Sequence, residues 1–259
     1  MQTVLFHNTV FGPIHSRRLG ISLGINLLPN DGKICSFDCV YCEAGFNAQG
    51  QGKDGIPSRN TVKKQLKNKL EAMKAQGEGL DVITFSGNGE PTLHPEFKKI
   101  IEDVKRLRDL YYPEAKVSVL SNSTMITKPQ VIEALKMVDN NILKLDSAIT
   151  ATMSAVNQPL NRNFIPDGVI EDLMQFSGQC IIQTMFLQGD YNGHHFDNTT
   201  NEEIEALIDA YKRIKPREVM VYSIDRQTPA ENLEKISKEE LEKIGARIQA
   251  AGIPVQVNA

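Results

Sequence analysis

Short apolar runs alternate with amphipathic stretches along most of the chain, a rhythm that predicts strands alternating with helices. The run over residues 21–29 predicts a first strand, and those over 81–86, 116–121, 141–146, 180–187 and 218–224 predict five more. Between them, periodic patterns predict helices over 58–76, 95–110, 129–138, 168–176 and 202–214; a last helix over 238–251 leads to a short strand at 254–257. In the first helix Val62, Leu66, Leu70 and Met73 share one face, with Ser58 and Thr61 as candidate N-caps. Six strand–helix units in this order predict an α/β fold, a parallel sheet curled into a partial (β/α)6 TIM-like barrel. Two stretches break the rhythm and are expected as loops. Residues 46–57 are rich in Gly and Gln and read as flexible, and residues 190–200 carry His194 and His195. No linker or internal repeat marks a boundary, so residues 1–259 read as a single domain.

Composition narrows the partners. A chain of 259 residues is long enough for one barrel and its core. At 41% hydrophobic and 24% charged, it has the balance of a globular protein. A net charge of −3 gives no bulk electrostatic argument for binding DNA or RNA. No apolar run approaches the roughly 18 residues of a membrane span, and the first residues do not read as a secretory signal.

The chemistry is concentrated in Cys35-Ser-Phe-Asp-Cys39-Val-Tyr-Cys42, which holds three of the four cysteines in a C-x3-C-x2-C spacing. Thiolates this close suit iron–sulfur or zinc binding better than a disulfide, which would leave an odd thiol. A zinc site needs a fourth ligand, and no second C-x2-C or H-x3-H group lies nearby. Clustered thiols without an even disulfide framework point to a reducing compartment, hence the cytoplasm. About 45 residues on comes Phe85-Ser-Gly-Asn-Gly-Glu-Pro-Thr-Leu-His-Pro95. The cysteine stretch follows the first predicted strand and this one the second, so both fall on the same mouth of the barrel.

Together these stretches resemble the radical S-adenosylmethionine (SAM) superfamily, whose cysteine motif has an aromatic residue before its last cysteine, here Tyr41. The stretch Phe11-Gly-Pro-Ile-His-Ser-Arg-Arg-Leu-Gly-Ile-Ser-Leu-Gly-Ile25 narrows the resemblance to small, uncharacterised Fe–S oxidoreductases akin to wyosine-type tRNA enzymes and the molybdenum-cofactor cyclase. It covers residues 11–237. It implies that Cys35, Cys39 and Cys42 ligate a [4Fe–4S] cluster whose fourth iron takes the amino and carboxylate groups of SAM. One electron from a flavodoxin- or ferredoxin-like donor then yields a 5′-deoxyadenosyl radical that abstracts hydrogen. It implies SAM-binding roles for Tyr41 beside the adenine and for Gly87, Asn88, Gly89 and Glu90 at the ammonium. Ser121, Asn122, Lys144, Asp146 and Ser223 complete that set, with Tyr222 beside Ser223.

Other residues have readings of their own. Lys144 stands in an otherwise apolar strand, where it needs an anion or a wet interior. Arg17 and Arg18, beside Ser16, suit phosphate or carboxylate recognition by bidentate forks, and are the candidate substrate-binding pair. Cys180 reads as a small hydrophobe at the start of a strand. Arg226 and Glu231 follow the sixth strand at the mouth. Three functions are consistent with these features: a radical SAM enzyme for a small anionic or nucleotide-like molecule, an activase of a protein such as a glycyl-radical enzyme, or an electron-transfer or sensor protein without SAM chemistry. The segment around Glu90 argues against the last. The compact chain and the arginine pair favour a small molecule over protein or RNA.

Overall fold

The six predicted apolar strands and the short last one lie parallel and side by side, as the alternation requires. The computed structural model describes residues 4–16 and 19–258. In chain order the elements are β1 (Val10–Ser16), β2 (Gly20–Ile25), α1 (Arg59–Ala75), β3 (Val82–Phe85), α2 (Phe97–Tyr111), β4 (Lys116–Ser121), α3 (Pro129–Met137), β5 (Asn140–Lys144), α4 (Thr150–Asn157) and α5 (Pro166–Met174). They continue with β6 (Cys180–Met185), β7 (Leu187–Tyr191), β8 (His194–Asp197), α6 (Asn201–Ile214), β9 (Glu218–Tyr222), β10 (Leu233–Lys235), α7 (Lys238–Ala250) and β11 (Val255–Asn258). The main sheet runs β1-β2-β3-β4-β5-β6-β9-β11, parallel throughout except for the antiparallel β1–β2 edge, and curls into a half-barrel. The expected partial (β/α)6 barrel is the architecture found.

The two faces of the sheet follow the period-2 rule. Leu23, Ile25, Ile83, Phe85, Val117, Val119, Leu143, Ile182 and Val219 join the helices in the main core. Their neighbours Ser22, Thr84, Leu120, Ile142, Gln183 and Met220 line a lumen of about 120 Å³. Helices α1 and α6 start on side-chain caps: Ser58 Oγ accepts from Thr61 N at 3.2 Å, and Thr200 Oγ1 accepts from Glu203 N at 3.3 Å.

Four features depart from the expectation. β1 adds an antiparallel edge. Residues 187–197 form a hairpin, to which β10 adds a third strand. Its turn is Asn192-Gly193, both at positive φ (51° and 77°), the two-residue hairpin turn that an Asn-Gly pair favours. The helix α4 is eight residues long, mixes Thr, Ser and Val with its Ala and Met, and buries Met153 and Val156. Residues 46–57 are no free loop: Lys33 N donates to Gly50 O at 3.1 Å, and Lys53 N and Asp54 N donate to the Asp31 carboxylate at 2.7 and 3.2 Å. Arg17 and Arg18 lie outside the described residues. Among the described residues no helix is long and apolar enough to cross a membrane.

Helices α1 and α2 are pinned by Asp103, a buried carboxylate. Arg59 Nε and Nη2 donate to it at 2.6 and 3.2 Å, and Arg106 adds a third bond. Burial pushes this carboxyl up, but the bonds from Arg59 and Arg106 outweigh burial and hold its pKa below the ordinary 3.8. A depressed folded pKa contributes stability above the unfolded value and loses it as pH falls through the folded one. Asp103→Asn is therefore expected to lower unfolding free energy at neutral pH and to flatten the loss of stability below about pH 4, read from urea melts across pH.

Candidate active site

The cysteine stretch leaves the carboxyl end of β2 and turns across the barrel mouth. Three backbone bonds zip it to the end of α4 and the residues after it: Val40 N to Val156 O at 3.0 Å, Asp38 N to Gln158 O at 3.1 Å, and Leu160 N to Ser36 O at 3.0 Å. Asn47 clamps it from the other side. Its Nδ2 donates to Cys35 O at 3.0 Å and to Phe37 O at 3.2 Å, and its Oδ1 accepts from Cys35 N at 3.1 Å. Cys35, Cys39 and Cys42 are all free thiols. Burial pushes the Cys35 thiol up to about 12 and the Cys39 thiol to about 11. Buried Lys33 donates to Gly45 O at 2.6 Å and to Asp38 Oδ1 at 3.2 Å. Its burial disfavours the ammonium, yet the nearby Cys42, Cys35 and Cys39 sulfurs outweigh this when ionised and raise its pKa.

The turn over residues 87–90 docks on the residue before Cys35. Ile34 N donates to Asn88 O at 3.0 Å, and Glu90 N donates to Ile34 O at 3.1 Å. Glycine at 89 makes this approach possible: φ is +138°, and a Cβ there would lie 1.8 Å from Ile34 O. Asn88 points its side chain away from the mouth, donating to Pro29 O at 2.8 Å and Phe6 O at 3.0 Å. Gly87 leaves room for Asn26, whose Oδ1 would stand 2.4 Å from a Cβ. Glu90 is buried; its Oε1 accepts from Thr92 N at 3.1 Å, Ser121 Oγ at 2.9 Å and the Thr92 hydroxyl. Oε2 takes Asn122 N at 2.6 Å. Burial raises the Glu90 pKa against these donors.

Tyr41, Lys144 and Asp146 meet in a third group. The Tyr41 hydroxyl donates to Asp146 Oδ2, and Lys144 Nζ donates to the Tyr41 oxygen and lies 4.8 Å from the ring centroid. Lys144 also reaches Asp146 Oδ2 at 3.4 Å, and Met185 N donates to Asp146 Oδ1 at 3.0 Å. The lysine in the apolar strand thus meets its anion.

A model of the Radical SAM superfamily matches residues 30–149. A UPF0026 protein of Synechocystis is 33% identical over 227 residues, 85% of this chain and 77% of its own. The chain belongs to the UPF0026 family of the radical SAM superfamily. GTPase Obg of Brachyspira hyodysenteriae is 31% identical over 237 residues, 90% of this chain but 32% of its own length. Among solved structures, a radical SAM methyltransferase from Sphaerobacter thermophilus shares the fold at TM-score 0.67 and 15% identity, covering 92% of this chain and 65% of that one. TYW1 with a lysine–pyruvate adduct shares it at TM-score 0.59 and 12% identity, covering 90% of this chain and 75% of that one. The chain thus spans about a third of the Brachyspira relative and just under two thirds of the methyltransferase.

The residues of this radical SAM protein fit the cofactors its superfamily uses. Among the described residues no three His, Cys, Asp or Glu side chains gather around one ion. A cubane does not ask that of them, since each thiolate takes a different iron. Asn122 Nδ2 and Asn157 Nδ2 each lie 3.5 Å from a cysteine sulfur, and the Lys33 ammonium offsets thiolate charge. At Glu90 three donors crowd Oε1 while Oε2 takes one, which leaves it a lone pair for an ammonium.

The remaining expected residues separate. Ser223 Oγ donates to Phe186 O at 2.8 Å and accepts from Ile236 N at 2.9 Å, holding the chain beside β10. Cys180 is buried at the start of β6, at the end of the sheet away from the cysteine stretch. His194 and His195 are exposed on β8, and His195 Nδ1 lies 3.2 Å from Asp190 Oδ1. Arg226 pairs with Glu43 at 2.7 Å beside the cysteine stretch. Lys33, Asn47 and Asn157 were not foreseen. Lys33 alone had a readable signal, a cation two residues before Cys35.

Two substitutions test this arrangement. Gly89→Ala is expected to cost about 3 kcal/mol of unfolding free energy, from a Cβ driven into Ile34 O at unfavourable φ. In Glu90→Gln, an amide NH2 faces either Asn122 N–H or the Oε1 donors, at an expected cost of about 1–3 kcal/mol. Urea melts read both.

Proposed function

We propose that this radical SAM enzyme holds a [4Fe–4S] cluster on Cys35, Cys39 and Cys42 and acts on a small anionic or nucleotide-like molecule. The observation that carries the reading is the Ile34–Gly89 bridge, which sets the cluster cysteines and the Glu90 carboxylate on one mouth. When bound, cluster and SAM supply a 5′-deoxyadenosyl radical that takes a hydrogen atom from substrate. The chain's own groups bind and orient. Glu90 Oε2 accepts from the SAM ammonium, and Ser121 and Asn122 keep that carboxylate in place. Lys144 offers its charge to the SAM carboxylate, while Tyr41 and Asp146 hold the lysine at the end of β5. Gly87, Asn88 and Gly89 shape the turn, and Ser223 closes the far side of the mouth. The lumen, about 120 Å³ and lined by Ser22, Thr84, Gln183 and Met220 among others, has room for a small reacting group, which supports a small molecule over a folded protein. Arg17 and Arg18, outside the described residues, are the proposed anion-binding pair. The electron comes from a flavodoxin- or ferredoxin-like donor, and four free thiols suit the reducing cytoplasm.

Anaerobic reconstitution with iron and sulfide, followed by SAM and dithionite, is expected to yield 5′-deoxyadenosine. Cys35→Ala, Cys39→Ala and Cys42→Ala are each expected to abolish it together with cubane absorption. A wild-type protein that forms the cubane but no 5′-deoxyadenosine would mark an electron carrier instead. A low-molecular-weight filtrate of cell extract is expected to raise the yield; stimulation by the protein or RNA fraction alone would overturn the small-molecule assignment. Unchanged stimulation in an Arg17→Ala, Arg18→Ala double variant would remove its anionic part.

A further inference from the structure

We propose that Asn122 and Asn157 are positioning residues that set the reduction potential of the cluster, an inference that rests on the cluster reading above. Each aims Nδ2 at a different cysteine, Asn122 at Cys35 Sγ and Asn157 at Cys39 Sγ, at 3.5 Å in both cases. They reach the cysteine stretch from separate parts of the fold, Asn122 just after β4 and Asn157 on the last turn of α4. Both are buried, at 7% and 1% exposure.

Neither amide is free to turn over. Asn122 Oδ1 accepts from Thr124 N at 3.1 Å and Thr124 Oγ1 at 2.8 Å, and its Nδ2 also donates to Ser36 Oγ at 2.8 Å. Asn157 Nδ2 gives its other N–H to Asp146 Oδ2 at 2.6 Å. Turning Asn157 over would set its carbonyl oxygen against a carboxylate and a sulfur, both electron-rich. Its Oδ1 meanwhile has no protein partner, an unusual state for a buried amide. Holding Asp146 does not explain Asn157, because that carboxylate already accepts from Tyr41, Lys144 and Met185 N. The bond left to explain is the one to sulfur.

An N–H donor draws charge from a thiolate and stabilises the reduced, more negative form of the cluster, which raises its potential. Both asparagines therefore ease transfer of one electron from an external donor of the ferredoxin or flavodoxin class.

The test is an anaerobic redox titration of the reconstituted, SAM-free protein, followed by electron paramagnetic resonance. Asn157→Leu and Asn122→Leu keep the branching at Cγ and remove the N–H. Each is expected to shift the midpoint to a more negative potential, and the double variant further, with iron content and visible spectrum unchanged. Gln158→Asn is the control; the wild-type side chain reaches only Ala155 O, asparagine tolerates its left-handed φ of 44°, and the midpoint is expected to stay put. Should Asn157→Leu fail to fold, Asn157→Ser, which shortens the reach, is titrated in its place. Variants with full iron content at the wild-type midpoint overturn the inference. A wild-type protein that takes up no cubane overturns the cluster reading instead.

Discussion

The pairing of Ile34 with Gly89 turns two separate stretches of sequence into one site. Its two backbone bonds fix the residue before Cys35 against the residue before Glu90. The linkage continues in side chains, because Glu90 holds Ser121 and the Asn122 backbone, and the Asn122 amide returns to Cys35. A closed circuit thus runs from the end of β2, through the ends of β3 and β4, and back to the first cysteine. Buried circuits of this kind stiffen a site only when each member is satisfied, and here Glu90 has four donors.

A second circuit works on the opposite side of the mouth. Tyr41 belongs to the cysteine stretch, Lys144 and Asp146 to the end of β5, and Asn157 to α4. Buried charges are tolerated only when paired, and the lysine and aspartate meet that condition through one phenol. Tyr41 is therefore placed by its hydroxyl as well as its ring, which packs in the small cluster around Phe37 and Met185.

The barrel, and the placing of the cysteine stretch and the Glu90 turn on one mouth, were legible because both are written locally. Apolar runs six to nine residues long, separated by helical periods, leave few arrangements besides a parallel sheet. Three cysteines in eight residues and a glutamate beside glycine stand out at short range. The clamps were not legible, since Asn157 meets a cysteine 118 residues away, and Asn47, though near, is an asparagine in a polar stretch and looks like any turn residue. The β7–β8 hairpin is a different kind of miss. Its Asn-Gly turn was readable, but Gln188, Asp190 and the two histidines blur the apolar alternation beside it. In α4 tertiary burial of Met153 and Val156 overrides weak local preference.

The main sheet begins at β1 and ends at β11, and these two strands do not pair with each other. A closed barrel admits a guest only through its rims, whereas an incomplete one has a seam down its flank. The modest hollow within is therefore bounded on one flank by the two edge strands β1 and β11 and not by a continuous wall of hydrogen-bonded backbone.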